Sequence, residues 1–344
     1  MVADDRIALT GAPGSPYTRK MIALLRYRRI PYRIMWGGHH PSPEGYPLPK
    51  VKLLPTFYFP KAGGELEAVV DSTPIARRLE ADFEGRSVIP ADPVIAYLDA
   101  LIEDYGDEWL TKQMFHYRWA YEEDAAHAAP LLVYWTNPTM AADDAKAFGD
   151  AFAKRQIDRL YVVGSNETTA ATIEESYRRT LTLLDARIAD RGYILGARPA
   201  TCDFAAYGQL TQLVAVEPTP AAIAKETAPR VRGWLDRVED LSGVEPAEDD
   251  WLARADARDA LGDLLAEIGR VYVPFLKANA AAAAAGEESF ETTIDGRPWT
   301  QPTFPYQAKC LAALRDARAA LSDADRADLD AILRGSGCEA LYTD

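Results

Sequence analysis

The chain of 344 residues is long enough for two or three domains, and with 48% apolar and 26% charged residues it has a globular rather than a disordered composition. A net charge of −14 argues against a nucleic-acid or anionic-membrane surface, and Cys202, Cys310 and Cys338 are too few and too far apart for a disulfide framework or a metal knuckle. No stretch reaches the roughly 18 apolar residues of a membrane span, and the opening Met1-Val2-Ala3-Asp4-Asp5 has neither a basic end nor an apolar run, so a cytoplasmic protein is expected. The charge is unevenly spread. Residues 1–85 hold 12 Lys and Arg against 9 Asp and Glu, net +3, which leaves −17 on the remainder and suits a small anionic ligand on the N-terminal part.

Arg6 to Thr10 reads as a short buried strand, ended by Gly11-Ala12-Pro13-Gly14. Ser15 is then a good N-cap with Pro16 at the first helical position, and Met21, Ile22, Leu24 and Leu25 recur at helical spacing up to Ile30-Pro31. Tyr32 to Trp36 reads as a second strand, followed by loop from Gly37 to Pro49. Leu54 to Phe59 and Ala68 to Val70 form two more strands around the Gly63-Gly64 turn, and Ser72 begins a helix through Ile75, Leu79 and Phe83. This order gives a mixed sheet with helices packed on it over residues 1–85.

Beyond Pro93 the periodicity is helical around 94–106, 108–128, 141–161, 170–190, 202–215 and 228–241, an all-helical domain spanning 86–243. A mostly helical extension over 244–344 follows, packed on the helical domain because Leu261, Leu264, Leu265, Ile268, Leu311 and Leu314 fall at helical spacing. Within it one long helix is expected from about Trp251 to Ala285, a hairpin with an Asp295-Gly296 turn over 289–304, and closing helices near 305–320 and 323–333.

Three motifs, in this order, carry a resemblance. They are Ser15-Pro16-Tyr17-Thr18-Arg19-Lys20 opening a helix, Leu54-Pro55 opening a strand, and Asp71-Ser72-Thr73-Pro74-Ile75 opening a second helix. With the helical domain behind it, the chain over about residues 5–241 resembles the cytosolic glutathione transferases, with an N-terminal motif similar to that of tau- and omega-class members. Ser15 and Thr18 stand where omega-class relatives carry thiols, so disulfide exchange is excluded at this position, since it needs a thiolate attacker.

The resemblance implies a thioredoxin-like glutathione-binding domain and glutathione as cosubstrate, with no metal. It implies conjugation of the glutathione thiolate to a small hydrophobic electrophile, a role in detoxification, and a homodimer. Ser15 would stabilise the thiolate, although as a helix cap it has a purely structural role open to it, and Tyr17 is the rival hydroxyl. Glutathione would be held by Tyr17, Lys52, Leu54, Pro55 (in a cis peptide), Asp71 and Ser72. For Lys52 a solvated loop position, and for Ser72 a simple N-cap, are equally compatible with the local sequence. Pro199 to Phe204 matches the family's folding box with Ala200 at the capping position, which leaves Thr201 to cap one residue late. The electrophile would lie against the helices that begin the second domain, where Tyr105, Trp109, Phe115, His116 and Trp119 are candidate lining residues. His39-His40 has no third ligand nearby and is not expected to bind metal. A non-catalytic protein that binds glutathione or apolar ligands, and a glutathione-dependent lyase or dehalogenase, are the alternative readings.

Overall fold

The computed structural model describes residues 6–38 and 43–343; His39 and His40 lie outside them. The first unit is a four-stranded sheet of β1 (Ile7–Gly11), β2 (Tyr32–Trp36), β3 (Thr56–Pro60) and β4 (Leu66–Val69), in the order β2-β1-β3-β4. β1 is buried along its whole length, as the unbroken apolar run predicts for a central strand. It pairs parallel with β2, Leu9 opposite Ile34, and antiparallel with β3, Leu9 opposite Phe57. The parallel pair is joined by α1 (Pro16–Tyr27), and α2 (Ser72–Asp82) follows β4. This is the expected thioredoxin-like domain.

The helical unit comprises α3 (Pro93–Glu108), α4 (Leu110–Ala120), α5 (Glu122–Tyr134), α6 (Ala142–Ile157), α7 (Ala170–Arg191), α8 (Thr201–Ala215), α9 (Pro218–Thr227) and α10 (Pro229–Val238). Every residue of α8 from Thr201 to Val214 is buried, so this helix, apolar nearly all round, is the axis on which α1, α3 and α4 pack. The single helix expected over 108–128 is two, because Tyr121 takes extended dihedrals between α4 and α5. α5 then continues through Pro130, whose missing N–H is one lost bond beside the close approach of α6, where Gly149 meets the Ala129 carbonyl. Thr201 does not cap α8. Ala200 holds the cap position, the Asp203 carboxylate accepts from the Ala200 and Ile194 N–H groups at 2.9 Å each, and the Thr201 hydroxyl donates to Asp99.

The extension contains α11 (Ala257–Glu267), α12 (Val273–Ala285), the hairpin β5 (Ser289–Ile294) and β6 (Arg297–Pro302), α13 (Pro305–Ala319) and α14 (Asp323–Leu333). The long helix therefore starts later than expected and is interrupted by a π turn over Ile268–Tyr272. Pro274 has no N–H to offer the carbonyl four residues back, and the ladder widens just before it. The hairpin turns where the sequence says, with Asp295 and Gly296 at φ 52° and 71°. α11 lies on α7, while α13 and α14 lie on α3, and all three join one continuous apolar core with the rest of the chain.

Candidate functional site

Ser15 caps α1. Its Oγ accepts from the Thr18 N–H at 3.3 Å and donates to the Leu54 carbonyl at 3.3 Å. The Leu54–Pro55 peptide is cis. Two segments 39 residues apart are thus brought together at the N-terminal end of α1, where the helix presents partial positive charge. Gly14, just before the cap, lies so close to α5 that a Cβ there would sit 2.1 Å from the Leu132 side chain. Arg118 of α4 holds the same loop by donating to the Gly14 carbonyl at 3.0 Å, while Glu217 and Gln212 take its other N–H groups.

Ser15 and Leu54 open onto a cavity of about 670 Å³. Of the aromatics expected there, Phe115 and Trp119 line it, half-buried and buried respectively. The opposite wall went unforeseen: Leu132 and Val133 of α5, then Met140, and Phe148 and Phe152 of α6. Phe148 and Phe152 are 62% and 41% exposed. Two phenylalanines four apart on a helix otherwise small, charged or polar until its last residue, Ile157, are the sequence signal that could have found this wall.

Tyr105, Trp109 and His116 are not at the cavity. Tyr105 is buried against Tyr272 and bonds Thr180 at 2.9 Å. Trp109 is enclosed by Phe275 and Trp299 of the extension and donates to Ser176 at 2.9 Å. His116 lies buried between Ser165 at 2.8 Å and Glu174 at 3.2 Å. Tyr105, Trp109 and His116 follow one another at i, i+4 and i+11 and share the face that packs on α7, whereas Phe115 and Trp119, four apart on α4, look toward Ser15. Tyr17 also turns away. Its hydroxyl donates to the Asp107 carbonyl at 2.7 Å and meets Thr111 at 2.9 Å, and burial, with Glu108 and Asp107 nearby, holds it well above the ordinary tyrosine range. Lys52 is exposed in the loop that leads to Leu54.

Asp71, not Ser72, caps α2, its carboxylate accepting from the Thr73 N–H at 3.3 Å. Ser72 is the first helical residue, buried, and its hydroxyl receives the Lys20 ammonium at 3.2 Å. Lys20 is itself buried and donates to Glu103 at 2.8 Å and Asp107 at 2.6 Å on α3. Burial disfavours charge on all three. On Lys20 the two carboxylates outweigh it and raise the ammonium's proton affinity; on Glu103 the Lys20 and Arg77 cations outweigh it and hold the acid at about 2. On Asp107 burial prevails and the acid rises to about 6. This network fixes α1, α2 and α3 relative to one another, and so ties Ser15 to Asp71 and Ser72. Among the described residues no group of three or more metal-ligating side chains occurs.

A thioredoxin-like sheet joined to an all-helical domain, with a helix-capping hydroxyl at the mouth of an apolar cleft, defines the class. Two family models match the chain. They are described as "Glutathione S-transferase, N-terminal domain", over residues 9–87, and "Glutathione S-transferase, C-terminal domain", over residues 140–237. Together they span more than half of it, and the chain belongs to the glutathione S-transferase family. Among solved structures it is similar to a glutathione S-transferase-like protein from Pseudomonas syringae, at 17% identity over 71% of this chain and 76% of that one, with TM-score 0.41. A tau-class glutathione S-transferase from mango, Mangifera indica, has 17% identity over 72% of this chain and 96% of that one, with TM-score 0.41. A glutathione S-transferase from Methylobacterium radiotolerans, in complex with glutathione sulfonate, has 19% identity over 72% and 94%, with TM-score 0.39. No curated protein matches the chain.

Proposed function

We propose that the protein conjugates glutathione to small hydrophobic electrophiles. The observation that carries this reading is the Ser15 hydroxyl, placed at a helix N-terminus, beside the Leu54 backbone and at the mouth of the apolar cavity. A thiol with a cysteine-like pKa of about 8.5 is only a few per cent ionised at neutral pH. A hydrogen bond to the charged sulfur contributes about 1.5–3 kcal/mol, or one to two pKa units, and the helix end adds about 0.3–1 kcal/mol. For Ser15 to donate to sulfur it must release the Leu54 carbonyl, and that bond, at 3.3 Å, is a weak competitor. The thiol proton passes to solvent, the thiolate attacks an electrophilic carbon held between Phe115, Trp119 and Phe152, a C–S bond forms, and the leaving group departs with its electron pair. Leu54, Pro55, Lys52, Asp71 and Ser72 hold the tripeptide. Tyr17 drops out of that set because its hydroxyl is already satisfied elsewhere.

Ser15→Ala removes both cap and sulfur donor, so turnover should fall more than tenfold while stability drops by about 1 kcal/mol. Ser15→Asp keeps a capping oxygen but sets a carboxylate beside the sulfur, where like charge raises the thiol pKa. Stability should then survive and catalysis should not. Thiolate absorbance of bound glutathione, followed against pH in the wild type and both variants, reads that pKa. An unchanged thiol pKa and turnover in Ser15→Ala would leave the residue a helix cap only.

A role in detoxification, within the cytoplasm, is part of the same proposal. No helix among the described residues is long and apolar enough to cross a membrane. We also propose that two copies pair, a reading supported by family membership and by the opposite net charges of residues 1–85 and 86–344.

A further inference from the structure

Asp71 and Thr73, on either side of Ser72, line a second cavity of about 400 Å³ together with Pro74 and Arg77 of α2, and its remaining walls are α3 and, from the extension, α13. Most charge at this cavity is already spoken for. Glu103 is paired with Lys20 and Arg77, and Asp104 accepts from the Tyr272 hydroxyl at 2.6 Å where burial raises it to about 7 and favours the neutral acid. Two groups remain. Among the described residues Asp71 receives only neutral donors, the Thr73 N–H at 3.3 Å and the Tyr306 hydroxyl at 2.7 Å. Lys309, one helical turn beyond Tyr306, is exposed and forms no ion pair among the described residues. Asp71 is moreover held at φ 83° and ψ 111°, a conformation that costs an L-residue on the order of 1–3 kcal/mol and persists where its surroundings fix it. Those surroundings include a tyrosine 235 positions along the chain.

One carboxylate and one ammonium that share a cavity without pairing to each other complement a ligand bearing both charges on one carbon. An α-amino acid is such a ligand, its ammonium facing Asp71 and its carboxylate facing Lys309. The γ-glutamyl end of glutathione carries a free α-amino acid of this kind, on the side remote from the thiol. We propose that α13 completes this end of the glutathione site from within the same chain: Lys309 binds the α-carboxylate, and Tyr306 positions Asp71 for the α-ammonium. The inference rests on the glutathione reading above and extends it to the part of the chain that lies beyond both family matches.

Titration calorimetry on the full chain tests it with three probes: glutathione, the analogue lacking the α-carboxylate (4-aminobutanoyl-cysteinylglycine), and the analogue lacking the α-amino group (glutaryl-cysteinylglycine). Lys309→Met should weaken glutathione about tenfold, the effect of one lost charge-assisted hydrogen bond, and leave the decarboxylated analogue unchanged. Tyr306→Phe should weaken glutathione and the decarboxylated analogue while sparing the deaminated one. Unchanged affinity for glutathione in Lys309→Met, or equal weakening of all three probes in either variant, would overturn the inference while leaving the glutathione reading in place. A wild-type chain that binds none of the probes would instead overturn the glutathione reading, and the inference with it.

Discussion

Glu108, at the end of α3, is half-buried where the extension covers the helical domain, and its carboxyl accepts from Gln307 at 2.9 Å. Burial first and Asp104 second push it up to about 8, and burial raises Asp104 to about 7. Lys112, one turn on, is pulled down to about 7 by burial, which outweighs the pull of the Glu108 carboxylate; its ammonium stands 3.9 Å from the Phe275 ring and donates to the Val163 and Gln301 carbonyls. The two acids bind protons more tightly in the folded chain, so their stabilisation is complete below about pH 4 and is lost as pH rises through 7 and 8. Lys112 acts oppositely, its unfolded form being the tighter proton binder, so it adds stability as pH rises from about 7 toward its ordinary value. Between pH 5 and 7 the acids dominate, and urea unfolding should report falling stability with rising pH. Glu108→Gln should flatten that fall by up to about 1.4 kcal/mol per pH unit, the limit for one titrating group. An identical pH slope in the variant would show that Glu108 does not titrate there. None of these shifts could be read from residue order, because each arises from the cover that a segment far along the chain provides.

At the scale of elements, the sequence is most legible where one residue does a local job. Ser15 with Pro16, the Asp295-Gly296 turn and the alternating burial of β5 all sit where local chemistry puts them. It is least legible where elements cross, since a crossing is decided by partners far away. Gly208 of α8 approaches α1 so closely that a Cβ there would stand 2.5 Å from the Pro16 carbonyl, directly after Ser15. Gly208→Ala should therefore destabilise the fold by about 1–3 kcal/mol and, by moving the start of α1, weaken glutathione binding as well. Gly233→Ala, in α10 with nothing within 4 Å of the added atom, is the control and should be neutral or stabilising by up to about 1 kcal/mol. Thermal unfolding of the two variants side by side checks the contrast; equal effects would mean that the crossing relaxes. The same reasoning covers the candidate site. Ser15, Leu54 and Asp71 were legible as motifs, whereas Lys20 gave no local sign of being buried, and Phe148 and Phe152 became a cavity wall only through the way α6 folds back on α5.

One large apolar core runs from the sheet to α14, and a smaller cluster of Trp119, Ala125, Ala128, Ala129 and Ala153 holds α4, α5 and α6 together. Trp109 on the body and Phe275 and Trp299 on the extension are parts of a single cluster, and Glu267 reaches from α11 to Arg179 at 2.6 Å and Ser176 at 2.8 Å. A chain ending at Gly243 should accordingly be insoluble or lose most of its thermal stability, as judged by soluble yield and melting temperature. Full stability in that shortened chain would contradict the packing described here. Sedimentation of the full chain at micromolar concentration checks the proposed pairing. A dimer mass is expected, and a monomer would mean that α13 and α14 on α3 take the place of a second copy.

The bond between Asp71 and Tyr306 also sets an order of events during synthesis. The ribosome delivers the sheet and α1 early, and they can begin to fold before the extension is made, yet Asp71 meets its tyrosine only after another 235 residues have been joined. A chain released before α13 would lack Tyr306 and Lys309 and with them part of the packing that holds the body together, so on the proposed reading it would lose one end of the ligand site and stability at once. On that reading, completion of the site waits on the synthesis of α13, and binding competence follows it.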